Sequence, residues 1–415
     1  MNYLKIIQEN IFTKMNYISS SINILSEKIL ISFLPIKDEN LIQEYINKSI
    51  FPSLLDIIIP AVLYAGGYSI LRLLFDYFTN SYVDKILKIK LKKIKVSPMI
   101  ESKFPYSNIK NHMASIFYPK INIVTSYNFY RNNGYTLSEF KKYISIRWKN
   151  ISLIKKRVKF QEAFWRFIIY LNLTIVGYFC MFYPTTQKWI LDTKYLWSEW
   201  PYNNMTLLMT FYYQLQLGCY FHQLLWTEIN IYKSFEMVIH HIVTILLIII
   251  SYLTNFNRGG IFVFFIHDIS DIFLESAKFI NYIAKTNNNN IYFGLQWRNI
   301  TDIIFVIFTI TFAITRLYVY PFYIIKSVIY ELYPIFHEDS IGYLILLSLA
   351  IILQILHLYW YYLIMKMVYK LFTTGIEKDE RSDDEDEYDD EYDEDDEDED
   401  EDNNTYNTIN KQKKY

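Results

Sequence analysis

Long apolar stretches limit most strongly what this chain can fold into. A hydrocarbon core about 30 Å thick requires roughly 20 apolar residues per helix, because backbone polar groups there must find partners inside the helix. Hydrophobic residues make up 52% of the chain, and only 10 Gly and 10 Pro interrupt them. We therefore predict an all-α polytopic membrane protein with about seven transmembrane helices. The predicted spans are residues 52–78, 164–183, 205–229, 237–253, 260–280, 300–320 and 344–371.

Charge is distributed unevenly along the chain. Of the 43 acidic residues, 21 lie in residues 377–402, whereas residues 80–160 carry 18 Lys and Arg against three acids. The positive-inside rule places the basic segment in the cytoplasm, the N-terminus in the lumen and the acidic tail in the cytoplasm. So highly charged a tail cannot bury enough apolar surface to fold, and we predict that it is disordered. The predicted divisions are a luminal segment 1–51, a first transmembrane helix 52–79, a basic cytoplasmic loop 80–160, a helical domain 161–372 with about six spans, and the acidic tail 373–415.

Short motifs point to a protein of the secretory pathway membranes. Cys180 and Cys219 both fall in predicted spans, so no disulfide framework or zinc site follows from them. Asn47 and Asn204 open glycosylation triplets on the side assigned to the lumen. The lysines in residues 411–415 have the spacing of a cytoplasmic retrieval signal, which favours the endoplasmic reticulum.

The predicted fifth span carries ionisable side chains that are costly inside a membrane. Such groups cost several kcal/mol each at membrane depth and are functional candidates by default. At 100° per residue they fall within an arc of about 100°, which gives one polar stripe turned into the bundle. The five side chains are His267, Asp268, Asp271, Glu275 and Lys278.

The predicted fourth span contributes a second polar face. His240, Thr244 and Ser251 share a narrow face, with His241 about a quarter turn away. The short link to the next span predicts antiparallel neighbours whose polar faces meet across one cavity, an arrangement for acid–base chemistry at low dielectric. The candidate catalytic residues are His240, His241, Asp268 and Asp271.

Two other interpretations of these polar faces exist. A satisfied polar network could lock the helices together without chemistry. A metal site would also use His and Asp, but membrane enzymes with paired iron use repeated histidine clusters, so we predict no metal. The remaining histidines of this chain are scattered, at His112, His222, His337 and His357.

Residues 237–282 closely resemble the long signature of ceramide synthases, which belong to the TLC domain proteins. The resemblance continues into residues 160–167 and 315–322 and covers roughly residues 50–385. The tail resembles the phosphorylated C-terminus of the family, with Ser382 as the candidate site. The matching positions of the signature are His240, His241, Thr244, Ser251, Tyr252, Asn255, Arg258, Gly260, His267, Asp268, Ser270, Asp271, Leu274, Glu275, Ala277, Lys278, Asn281 and Tyr282.

The resemblance implies a reaction and roles for these residues. Fatty acyl-CoA would be the donor and sphinganine or sphingosine the acceptor, with no cofactor beyond the co-substrate acyl-CoA. An imidazole would accept the proton of the amine, a carboxylate would hold that imidazole, and Thr244, a tyrosine or a second imidazole would donate to the oxyanion. The acyl group could pass through an acyl-imidazole on His240 or transfer directly. The supporting polar face would comprise Thr244, Ser251, Arg258, His267, Glu275 and Lys278.

Partners follow partly from charge and partly from the resemblance. A cluster of basic side chains on the cytoplasmic side suits the phosphates of CoA. A role in setting the orientation of the helices in the membrane explains the same charges equally well. The resemblance implies membrane lipid as a partner and a possible homodimer. Some animal members of the family carry a homeobox-like segment in the first cytoplasmic loop, but residues 135–159 keep at most a degenerate basic remnant of it, so no nucleic-acid binding is implied. The runner-up function is a non-catalytic TLC lipid carrier or translocon-associated protein. The candidate CoA ligands are Lys155, Lys156, Arg157 and Lys159.

Overall fold

The computed structural model covers the helical part of the chain. The predictions for Asn47, Asn204, Ser382 and the lysines of residues 411–415 lie outside the described residues and stay predictions, as does the disorder of the acidic tail. The described residues are 20–22, 24–25, 52–91, 137–183, 187–200, 202, 205–225, 235–287, 291–292, 295–335 and 341–374.

Helices make up nearly all of the described chain, which confirms the predicted all-α class. They are α1 Leu54–Ile86, α2 Leu137–Phe182, α3 Lys188–Leu191, α4 Lys194–Trp197, α5 Leu207–Gln223, α6 Phe235–Leu253, α7 Asn257–Asn287, α8 Trp297–Phe312 and α9 Ile341–Thr374. Between α8 and α9 lie two π-helices, Ala313–Ile325 and Val328–Leu332, and a 3₁₀ turn, Tyr333–Ile335. A short antiparallel ribbon pairs β1 Ile291–Tyr292 with β2 Leu295–Gln296.

Five of the described helices are long and apolar enough to cross a membrane, so the chain is a multi-pass membrane protein. The predicted number of seven spans is not confirmed. The described part of α5 has only 17 residues, and α7 has 31 residues but carries the ionisable stripe. The five candidate spans are Leu54–Ile86, Lys149–Phe182, Phe235–Leu253, Trp297–Leu332 and Ile341–Leu371.

Helices enter the predicted basic loop from both sides. α1 continues to Ile86, and α2 begins at Leu137, so both ends of the predicted loop 80–160 are helical. With 46 residues, α2 is about 70 Å long, more than twice the thickness of a hydrocarbon core. Its first part therefore extends the helix beyond the segment that can cross the membrane.

Polar contacts fix the start of α1 and attach its second half to α2. The Ser53 side chain accepts from the Leu55 amide while Asp56 accepts from the Ser53 amide, which forms a capping box. Further along, the buried Arg72 donates to Asp76 at 3.0 Å and to the carbonyl of Gln161 at 3.0 Å. Because both charges are buried, this pairing is needed to offset their desolvation.

The two ends of the bundle are defined by different contacts. At one end, termed the cap end, α3 and α4 cover the helices: Tyr323 donates to the carbonyl of Trp189 at 2.7 Å, and Arg258 donates to that of Tyr195 at 2.7 Å. At the opposite end, termed the loop end, Arg157 pairs with Asp84 at 2.9 Å. The end of α6 and the starts of α7 and α9 lie at the cap end, so α6 runs antiparallel to both other helices.

Close packing of α5 on α1 depends on a glycine. A Cβ atom at Gly218 would lie 2.7 Å from the Cβ of Tyr64 and 2.9 Å from the carbonyl oxygen of Ala61. Gly218→Ala is therefore expected to destabilise the protein by about 1–3 kcal/mol, because the two backbones must separate. The matched control is Gly66→Ala in α1, where nothing lies within 4 Å of the added atom. Melting temperatures in detergent that fall equally for both variants would contradict this packing.

Candidate functional site

The candidate catalytic residues lie at one depth of the bundle. His241 on α6 and Asp268 on α7 are each about 17 Å from the cap end at a rise of 1.5 Å per residue. His240 lies about 1.5 Å further toward the loop end than His241, and Asp271 lies about 4.5 Å further than Asp268. The two imidazoles and the two carboxylates thus occupy one layer, which the helices α5 and α9 and the first π-helix also border. This layer is termed the chamber below.

The histidine pair faces the interior of the bundle. His240 and His241 are 9% and 3% exposed, and their ring centroids lie 5.5 Å apart. Tyr220 of α5 flanks both rings, at 6.3 Å and 5.8 Å. Trp360 of α9 meets His240 edge to face at 5.1 Å. Aromatic rings from two other helices therefore hold the imidazoles away from lipid.

Asp268 is held by α5. Its Oδ2 atom accepts from the hydroxyl of Tyr212 at 2.9 Å and from the amide of Gln216 at 2.5 Å. The carboxylate is 2% exposed, and both donors are also buried. Hydrogen bonds to charged groups are stronger than those between neutral groups, so this pair of donors fixes the carboxylate rigidly in apolar surroundings.

Asp271 is held by the first π-helix. Arg316 donates to its Oδ1 at 2.5 Å, and the Nε of the same guanidinium donates to the hydroxyl of Ser270 at 3.1 Å. The guanidinium also lies 4.9 Å from the ring centroid of Phe312. Pro321 has no amide hydrogen to donate within this π-helix, and π-helical segments are rare in proteins. Sequence reasoning missed Arg316, although an arginine inside an apolar span was a usable signal.

His267 pairs with a histidine that the sequence did not single out. Its Nδ1 lies 2.7 Å from the carbonyl oxygen of Val263, and its Nε2 lies 3.1 Å from the Nε2 of His357 on α9. A carbonyl only accepts, so Nδ1 of His267 carries the hydrogen. In the neutral ring its Nε2 then accepts from His357. The scattered histidine at position 357 is therefore part of the chamber.

The remaining residues of the predicted polar face do not all lie in the chamber. Glu275 and Lys278 pair with each other at 3.1 Å toward the loop end, and Arg166 of α2 lies 3.8 Å from Glu275. Ser251 accepts from Tyr213 near the cap end. Arg258, also predicted for this face, binds the segment 195–199 at the cap end.

The two polar faces belong to helices with only a small shared contact. α7 packs mainly against α2 and α8 and far less against α6, so other helices supply the partners of its stripe. The carboxylate group of Asp268 binds Tyr212 and Gln216, and that of Asp271 binds Arg316. The carboxylates are therefore positioned by α5 and by the first π-helix.

The predicted CoA ligands lie on the outer part of α2. Lys155 and Lys156 are exposed and Lys159 is half-buried. Arg157 points away from them, since both of its close contacts are to the two carboxylate oxygens of Asp84. The bidentate ion pair uses Arg157 to join α1 to α2, so Arg157 is the weakest of these candidates.

The chamber offers groups suited to proton transfer. It combines four buried imidazoles, two carboxylates and one guanidinium in otherwise apolar and aromatic surroundings. Electrostatic interactions are stronger at low dielectric than in water, and imidazole accepts and releases protons near neutral pH. Across the residues that the structure describes, no group of three His, Cys, Asp or Glu side chains could hold a metal ion.

The chain is similar to known proteins over this helical bundle. The family model described as TLC domain matches residues 159–366. Ceramide synthase 3 of Mus musculus is 30% identical over 327 residues, which make up 78% of this chain and 78% of the relative. Ceramide synthase 3 of Homo sapiens is 30% identical over 339 residues, or 80% of each chain. Ceramide synthase hyl-1 of Caenorhabditis elegans is 28% identical over 225 residues, covering 53% of this chain and 57% of the nematode protein.

Proposed function

The chain belongs to the ceramide synthase family of TLC-domain proteins, and from this premise we propose that it transfers a fatty acyl group from acyl-CoA to the amine of a sphingoid base. The product would be dihydroceramide from sphinganine and ceramide from sphingosine. The observation that carries the proposal is the placement of a buried histidine pair and two hydrogen-bonded aspartates in one layer.

The reaction needs proton transfer at neutral pH. The amine nitrogen forms a bond to the thioester carbonyl carbon, and the carbon–sulfur bond breaks. An imidazole of the pair, His240 or His241, accepts the proton that the nitrogen loses and passes it to the departing thiolate. The neighbouring carboxylates stabilise the imidazolium while it exists. The balanced products are an amide and the thiol of CoA.

Two routes are compatible with this arrangement. In direct transfer, the amine attacks the thioester as described. In the alternative route, a ring nitrogen of His240 attacks the thioester first and releases the thiolate, and the amine then attacks the acyl-imidazole and restores the ring. Tyr220 lies beside both imidazoles and is a candidate donor to the oxyanion in either route.

We further propose an orientation in the endoplasmic reticulum membrane. The loop end would face the cytoplasm, since the basic residues of α2 lie there, and the cap end would face the lumen. The N-terminus would then be luminal and the acidic tail cytoplasmic. Acyl-CoA would approach from the loop end near Lys155 and Lys156, and its chain would gain about 0.8 kcal/mol per buried methylene.

The alternative function is a non-catalytic lipid carrier with the same fold. A carrier needs an apolar cavity but has no need for paired imidazoles and hydrogen-bonded carboxylates at one depth. The experiment that separates the two gives purified protein isotope-labelled sphinganine and a panel of acyl-CoAs that differ in chain length. N-acyl sphinganine, detected by its mass, is the expected product. Folded protein that forms no such product across the whole panel would favour the carrier.

A further inference from the structure

Several buried polar atoms on α6 and α9 have no hydrogen-bond partner in the described structure. Among them are the Oγ1 of Thr244 and the Nδ1 of His357. Thr244 is 8% exposed, and His357 is fully buried at 0%. A buried polar atom without a partner is destabilising, and each case in a native protein calls for an explanation.

The two atoms belong to side chains at one level of the chamber. His240 meets Trp360 with ring centroids 5.1 Å apart, and α6 and α9 run antiparallel. Thr244 lies about 6 Å from His240 toward the cap end, and His357 lies about 4.5 Å from Trp360 in the same direction. Residues three or four apart share a helix face, so Thr244 lies on the face of α6 that carries His240, and His357 lies on the face of α9 that carries Trp360.

The hydrogen-bond character of each group is fixed by its neighbours. His357 donates its Nε2 hydrogen to His267, because His267 uses its own hydrogen on the carbonyl of Val263. In the neutral ring of His357, Nδ1 therefore carries a lone pair and can only accept. The hydroxyl of Thr244 can donate, and it makes no bond to the backbone of its own helix. The hydroxyl of Tyr320, close to His357, already donates to Ala350.

We propose that Thr244 and His357 form a binding subsite for a hydroxyl group of the amine substrate, one helical turn from His240 toward the cap end. This inference rests on the proposed function. A hydroxyl group accepts from the threonine and donates to the imidazole, so it satisfies both side chains at once. A carbonyl oxygen cannot donate to His357, and a methylene group satisfies neither. The subsite selects an amino alcohol over a plain amine.

The spacing suits a substrate in which a hydroxyl group lies close to the amine. The reacting nitrogen must lie near the histidine pair, and the subsite begins about 6 Å away along α6. Sphingoid bases carry hydroxyl groups on the carbon atoms next to the one that bears the amine. The amine can therefore meet an imidazole while a neighbouring hydroxyl binds Thr244 and His357, and the subsite places the nitrogen for attack.

The test is a competition between two amines. Purified protein with acyl-CoA receives equal amounts of sphinganine and 2-aminooctadecane, which keeps the amine and lacks both hydroxyl groups. The ratio of the two products gives the ratio of their kcat/KM values and does not depend on the fraction of active protein. The wild-type protein is expected to prefer sphinganine, and Thr244→Val and His357→Gln are each expected to reduce that preference about tenfold or more.

Matched variants separate recognition from folding. Thr244→Ser keeps the hydroxyl group and is expected to keep the preference. Thr301→Val removes a buried hydroxyl that already donates to the carbonyl of Trp297, so it is expected to change neither rate nor preference. A variant that acylates neither amine is examined by heat stability instead, and the rise in melting temperature caused by sphinganine is expected to fall to that caused by 2-aminooctadecane.

The failures of the two proposals differ. An unchanged preference in Thr244→Val and His357→Gln, or an unchanged difference in melting-temperature rise, would overturn the subsite. The same holds for a wild-type protein that acylates both amines equally well. A wild-type protein that acylates neither amine would overturn the proposed function itself.

Discussion

Replacing His240 or His241 by Ala is expected to lower the rate of ceramide formation about a thousandfold or more. Both imidazoles are buried in the chamber, and both lie beside Tyr220. Removal of the base leaves the proton of the amine without an acceptor where water is excluded. The measurement is the initial rate with sphinganine and acyl-CoA, per amount of folded protein.

A third histidine provides the control for this prediction. His222 is also buried, but it binds Ser69 of α1 at 3.0 Å and packs against Tyr68 outside the chamber. His222→Ala is therefore expected to keep most of the activity of the folded protein. Near-normal ceramide formation in either His240→Ala or His241→Ala would remove that residue from the mechanism.

Replacing Arg316 by Met is expected to reduce both stability and activity strongly. The guanidinium forms an ion pair with Asp271, and it also binds Ser270. Removing one partner of a buried pair leaves an uncompensated charge, which costs about 3 kcal/mol or more. The double variant Arg316→Met with Asp271→Asn removes both charges, so it should recover much of the stability while ceramide formation stays low. Thermal melting and initial rates on the same samples separate the two effects.

The control for Arg316 is the arginine at the cap end. Arg258 pairs with Glu199, whose side chain is 72% exposed, so this ion pair is worth at most about 1 kcal/mol. Arg258→Met also loses the hydrogen bonds to the segment 195–199, but it leaves no buried charge without a partner, so it should lose less stability than Arg316→Met and keep most of the activity. If Arg316→Met were as stable and as active as Arg258→Met, the ion pair with Asp271 would have no part in the site.

The parts of the fold that the sequence predicted are those that the membrane imposes directly. Apolar runs at 52–78, 237–253 and 344–371 became α1, α6 and α9, because a helix in hydrocarbon must be apolar over its length. The polar stripe on α7 could also be predicted, because ionisable side chains inside a membrane span are rare and therefore stand out in the sequence. Positive charge at 80–160 did not reveal the first part of α2, because Lys and Arg are good helix formers and charge alone does not exclude a helix.

The partners of the stripe could not be predicted from their own local sequence. Tyr212 and Gln216 on α5, and His357 on α9, reach α7 only through packing of distant parts of the chain. A single histidine in an apolar helix is more often a satisfied core residue than a functional one. The direct bond between a carboxylate and the histidine pair was expected from short connection length alone. In the structure α7 packs mainly against α2 and α8, which the length of the connection to α6 does not reveal.

The central claim is that acyl transfer takes place in the chamber between α6, α7 and α9. Photoaffinity labelling tests it most directly, using an acyl-CoA with a diazirine close to the thioester and mass-spectrometric mapping of the labelled peptides. We expect labels on the segments of α6 and α9 around His240 and Trp360, and we expect excess unlabelled acyl-CoA to abolish them. Labels restricted to the lipid-facing side of α1, or labels that excess acyl-CoA does not displace, would contradict the claim.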